Sequence, residues 1–192
     1  MTRDSVQFYD DVAPLVSELG RIMCVALDQG HAAVCIATEP SRVALRSHLA
    51  NRGIDVAAFR SSGQCVFLDA ARVLSDITTD DGTADPVRFA EVVGGRIGRL
   101  ANKYAGVWMY SELAGVMWTG GNRSGALEVE GLLGRLSETH PVCSCIAFPV
   151  EILSWPIVIA TLQQVVADQL KALAKNSTLA LAIRRGPSHP NE

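Results

Sequence analysis

Between residues 11 and 29 the apolar side chains Val12, Leu15, Val16, Leu19, Ile22, Met23 and Ala26 recur at spacings of three and four. That period places them on one face of an amphipathic helix, which Gly30 ends. The next run, residues 32–37 (AAVCIA), is continuously apolar and bounded by Gly30 and Pro40, the pattern of a buried parallel strand. Thr38-Glu39-Pro40-Ser41 is a helix start, and Val43, Leu45 and Leu49 carry that helix to Arg52, before Gly53. Residues 65–68 predict a second strand closed by Asp69, with a short helix over 69–74. Residues 76–85 form an acidic, glycine-containing loop, placed to act as a lid. Asp85-Pro86 opens a helix with Phe89, Val93, Ile97 and Leu100 on one face.

Residues 106–110 (GVWMY) read as a third strand. A short helix over 111–118, a Gly-Gly-Asn turn and a helix over 122–136 follow, the last with a buried stripe of Val129, Leu132, Leu133 and Leu136. Residues 143–148 are the fourth strand. Val158, Leu162, Val165, Val166, Leu170 and Leu173 then mark an amphipathic helix over 155–174, and a frayed tail closes the sequence. The expected organisation is a domain over 4–153, the helix within 154–175 and the tail over 176–192.

Strands that alternate with helices build a mainly parallel sheet covered on both faces, a three-layer α/β sandwich. Ligands of such sheets sit outside the C-terminal strand ends. That rule selects Thr38-Glu39, Asp69, Tyr110-Ser111-Glu112 and Phe148-Pro149, and of these Thr38, Glu39, Asp69, Tyr110 and Glu112, with Trp118 nearby, are the candidate ligand-binding residues.

Composition narrows the function classes. The 192 residues carry 17 Lys+Arg against 20 Asp+Glu, net −3, which argues against a dedicated nucleic-acid binder. No apolar stretch reaches the ~18 residues of a membrane span, and the start of the chain lacks the pattern of a secretory signal. Five cysteines, each in an apolar run, read as reduced, buried thiols of a cytoplasmic protein.

Phosphate and metal motifs fail on inspection. Gly120 and Gly125 have a phosphate-loop spacing, but Ala126-Leu127 stand where Lys-Ser/Thr is required. The turn after the first predicted strand, Ala37-Thr38-Glu39-Pro40-Ser41-Arg42, has no glycine and puts a carboxylate where phosphate would sit. Gly94-Gly95-Arg96-Ile97-Gly98 lies inside a helix and implies close helix packing. Asp80-Asp81-Gly82 fails the calcium-loop register, and Cys143-Ser144-Cys145 lacks the spacings of zinc or redox sites. No metal, cofactor or catalytic residue is expected. Glu112 keeps two readings: a carboxylate that polarises water, or a helix N-terminal acid favoured by the dipole.

The order of several segments resembles a known family. Gln7-Phe8-Tyr9-Asp10-Asp11 opens it, followed by Ala32-Ala33-Val34-Cys35-Ile36-Ala37-Thr38 and Leu49-Ala50-Asn51-Arg52-Gly53-Ile54-Asp55-Val56. Arg60-Ser61-Ser62-Gly63-Gln64-Cys65-Val66-Phe67-Leu68-Asp69-Ala70, Ser111-Glu112-Leu113, Met117-Trp118, Gly121-Asn122 and Glu128-Val129-Glu130 come next. His140-Pro141 and Cys145-Ile146-Ala147-Phe148-Pro149 close it. Together they resemble the MEDS domain (methanogen/methylotroph DcmR sensory domain) over residues 4–153. The resemblance implies a degenerate RecA/KaiC-like fold without the phosphate loop, sensing small organic molecules such as hydrocarbon derivatives. It also adds Tyr9 to the candidate ligand-binding residues. Asp4 stands where members often carry a histidine, and only a helix and tail follow Pro149 in place of an output domain.

The expected function is a non-catalytic cytoplasmic sensory or regulatory domain that binds a small organic ligand and signals through a protein partner. The expected partners are a histidine kinase or transcription regulator, and a second copy of the chain through the 155–174 helix, which packs either there or back on its own sheet. A degenerate nucleotide-binding enzyme using Glu112, a thiol enzyme and a pure interaction scaffold are the alternatives.

Overall fold

A computed structural model describes residues 5–9 and 12–149, with side chains over 13–146. These residues fall in the first of two units into which the chain divides, Met1–Glu151 and Ile152–Glu192. The expected 155–174 helix and the tail lie outside the described residues.

The chain opens with β1 (Ser5–Tyr9), α1 (Val12–Asp28), β2 (Ala32–Ala37), α2 (Glu39–Asn51), α3 (Val56–Ser62), β3 (Cys65–Asp69) and α4 (Ala70–Ile77). There follow α5 (Pro86–Phe89), a π-helical turn (Ala90–Gly94), α6 (Gly95–Lys103), β4 (Val107–Ser111), α7 (Leu113–Thr119), α8 (Arg123–Thr139) and β5 (Val142–Pro149). The strands form one sheet in the order β1-β5-β4-β2-β3, and every neighbouring pair is parallel. This is the expected three-layer α/β class, with β4 at the centre between β5 and β2.

Register fixes the two faces. Phe67, Cys35, Tyr110 and Cys145 form one row across the sheet, and Cys65, Ala33, Trp108 and Cys143 form another. On that face Leu15, Leu19, Met23, Ala26 and Leu27 of α1 and Leu45 and Leu49 of α2 bury themselves against Cys35, Trp108 and Tyr110. The alternate residues Val34, Ile36, Met109 and Ile146 point to the opposite face and are also buried. Helices α4, α6, α7 and α8 contact the strands but add no residue to the first cluster, so they cover this second face.

α1 and α2 approach closely at Gly20, where a Cβ would lie 2.3 Å from the His48 ring. The glycine cluster expected to allow close packing does so at Gly98, whose missing Cβ would come 3.1 Å from His140 Nε2. The acidic loop, expected as a lid, is a closed turn. Thr78 bridges Ala84. Asn122 Nδ2 donates to the Gly82 carbonyl at 2.7 Å, and the Ala84 amide donates to Glu128 Oε2 at 3.0 Å. Those bonds pin the loop to α8 and its cap.

Two elements escape the sequence pattern. β1 is a fifth strand, and α3 fills a stretch with no buried residue. Among the described residues no helix is long and apolar enough to cross a membrane.

Candidate functional site

The C-terminal ends of β2, β3 and β4 carry two polar clusters that share α2. The first lies on the seam between the central strands. β4 ends at Ser111, and Glu112, next in the chain, donates its amide to the Ile36 carbonyl of β2 at 2.9 Å. Its side chain turns back into the protein and is only 6% exposed. Oε2 accepts a 2.8 Å hydrogen bond from the backbone amide of Thr38, and Oε1 accepts one of 2.8 Å from the Tyr110 hydroxyl. Thr38 is the N-cap of α2 and makes no side-chain cap bond of its own, its hydroxyl bonding Ser41 Oγ at 3.1 Å instead. Glu112 thus supplies, from 74 residues away, the carboxylate that a capping box takes from the helix's own first turn.

The second cluster lies on the rim, towards edge strand β3. Arg42 Nη2 is ion-paired to both Glu39 and Asp69, and Arg46 Nη2 meets the other Glu39 oxygen at 3.3 Å. Asp69 also caps α4 by accepting the Arg72 amide at 2.9 Å. Water reaches this cluster: the Glu39 and Asp69 side chains are 59% and 37% exposed. Arg42 is largely covered, and its Nε is buried without a partner. Arg46 also lies over the Phe67 ring, 5.8 Å from its centre.

Cys35 lies between the clusters. Burial pushes its thiol well above the ordinary range, the Glu112 charge adds to this, and Arg42 and Arg46 oppose it. Burial likewise pushes Cys65 up to about 12. Such thiols are poor nucleophiles at neutral pH. Among the described residues no group of three or more His, Cys, Asp or Glu could hold a metal.

Hydrogen bonds join Thr38, Tyr110 and Glu112 directly, and Arg42 joins Glu39 to Asp69. Trp118 is half-buried near the end of α7, with Arg123 lying 5.9 Å from its ring centre. Tyr9 ends β1, paired in register with Pro149, and its side chain lies outside the described ones. Arg42 was not singled out from the sequence, although it is the cation that holds the rim together. Its signal was available: it stands one helical turn after Glu39, where an ion pair across the turn forms.

The parallel sheet, the glycine-free turn after β2 and the buried acid after β4 accompany a family assignment. No curated protein and no solved structure matches the chain. The model of the MEDS domain, described as the methanogen/methylotroph DcmR sensory domain, matches residues 5–166, and the chain belongs to that family.

Proposed function

We propose that this sensory domain is non-catalytic, takes a small organic ligand at the C-terminal strand ends, and signals through a protein partner. The observation that carries the reading is the Glu112 carboxylate. One oxygen is engaged by a backbone amide and the other by a buried phenol, which supports a positioning role over activation of water. The turn after β2 offers no glycine amides and no lysine for a triphosphate. The candidate ligand-binding residues remain Tyr9, Thr38, Glu39, Asp69, Tyr110, Glu112 and Trp118. A histidine kinase or a transcription regulator is the proposed partner class, with a second copy of the chain as a further one and a cytoplasmic setting.

Native mass spectrometry of the freshly purified full chain tests this. A co-purified organic molecule, lost when a strand-end residue such as Asp69 is substituted, supports the reading. Turnover of ATP with Mg²⁺ that Glu112→Gln abolishes overturns it in favour of a degenerate nucleotide hydrolase.

A further inference from the structure

Two hydrogen-bond donors from different strand ends converge on one buried acid at the seam. The Thr38 amide reaches Glu112 Oε2 and the Tyr110 hydroxyl reaches Oε1, each at 2.8 Å. Tyr110 is 1% exposed and Glu112 is 6% exposed. Among the described residues Glu112 forms no ion pair. Those two neutral donors are the hydrogen-bond partners of its carboxylate. An amide at a helix entrance and a phenol opposite it are the parts of a site for a small carboxylate. Here the carboxylate belongs to the chain itself.

We infer that the Thr38 amide and the Tyr110 hydroxyl form a cradle for one small carboxylate, and that Glu112 is its tethered occupant. Tethering holds that carboxylate at an effective concentration far above any free acid. The intact chain therefore refuses carboxylates from solution at this point. Shortening Glu112 to alanine takes away the occupant and leaves both donors, because one belongs to the backbone beside β2 and the other to a side chain packed inside β4. Formate has the charge of the missing carboxylate and is smaller than the –CH2–COO⁻ removed. Thr38, Tyr110 and Glu112 are also among the proposed ligand-binding residues, but that reading is tested by a co-purified molecule and a rim substitution at Asp69, so the failure of one test is distinguishable from the failure of the other.

The experiment is thermal unfolding of the full chain and of Glu112→Ala, in sodium formate and in sodium chloride at equal ionic strength. The expected result is a saturable rise of the Glu112→Ala midpoint in formate, by about 2–4 °C over chloride. The unsubstituted chain should show no difference between the salts, and the double variant Glu112→Ala/Tyr110→Phe should lose most of the rise. Equal midpoints for Glu112→Ala in the two salts, an equal rise in the unsubstituted chain, or a rise that survives loss of the Tyr110 hydroxyl would each overturn the inference. If Glu112→Ala does not fold unaided, it is refolded from urea in each salt. Recovery of the near-ultraviolet signal of buried Trp108 in formate alone supports the cradle, and failure in both, or recovery in both, overturns it.

Discussion

The seam and the rim lie at the two sides of the same helix start and solve the same problem in opposite ways. Each must hold a carboxylate beside β2. At the seam, Glu112 is taken almost entirely out of water and held by neutral donors. At the rim, Glu39 and Asp69 keep contact with solvent and are held by a guanidinium. Removing a buried acid held by hydrogen bonds strips its donors of those bonds, at about 1–3 kcal/mol per buried donor. Exposed ion pairs are screened and contribute about 0–1 kcal/mol. The charged-looking cluster is therefore the weaker one, and the contact that a list of ion pairs omits is the stronger.

The largest effect expected from this contrast is that of Glu112→Ala, a loss of about 2–4 kcal/mol in urea unfolding. A loss below about 1 kcal/mol would erase the distinction between seam and rim. Cys35, whose buried thiol feels the Glu112 charge, should become alkylated by iodoacetamide faster in this variant than in any rim variant.

The dryness of the seam's face can also be read from pH. The Cys65 thiol is pushed up to about 12 in the folded chain from an ordinary 9.0, and burial moves Cys35 the same way. Between those values the unfolded thiol has lost its proton and the folded one keeps it, so the unfolded state binds fewer protons. The stabilisation is fully present below about pH 9 and is lost as pH rises towards 12, by at most about 1.4 kcal/mol per unit for each thiol. Urea midpoints from pH 8 to 10.5 should fall, and Cys65→Ala should flatten the slope. An unchanged slope in that variant would mean that water reaches this face.

Tyr110→Phe should cost about 1 kcal/mol, because it removes one of the two donors and leaves Glu112 its backbone bond. At the rim, Asp69→Asn should cost less than about 1 kcal/mol, since asparagine still caps α4. Its effect should shrink further in high salt. A salt-insensitive loss as large as that of Tyr110→Phe would place the rim in the same class as the seam.

Legibility followed the side chains that packing leaves visible. β2 was expected at 32–37 and occupies Ala32–Ala37, because a strand buried on both faces reads as an unbroken apolar run. The helix expected over 11–29 and α1 agree to within a residue at each end, since its stripe meets the sheet. α3 has no buried residue and so leaves no stripe to read. β1 was not expected as a strand, for Ser-Val-Gln-Phe-Tyr is short, mixed and paired on one side only. The π-helical turn has no sequence signature, and the pattern across it was legible only as one helix over Phe89, Val93, Ile97 and Leu100. At the site, the strand-end rule placed Thr38, Tyr110 and Glu112 at one edge. Which donor meets which oxygen depends on how β4 sits beside β2, and no local pattern encodes that.

The sheet order also sets a timetable. Among the described strands β1 pairs with β5 alone, with Ser5 opposite Cys145 and Tyr9 opposite Pro149. On a ribosome adding about 5–20 residues per second, β1 waits roughly 7–28 seconds for β5 to be made. During that time β2, β3 and β4 can pair among themselves, and Glu112 can reach Thr38, while Ser5–Tyr9 still lacks β5. Of the described strands, β1 is therefore made first and joins the sheet last. Until then its backbone is open to any extended segment that meets it, such as the same strand of a neighbouring nascent chain.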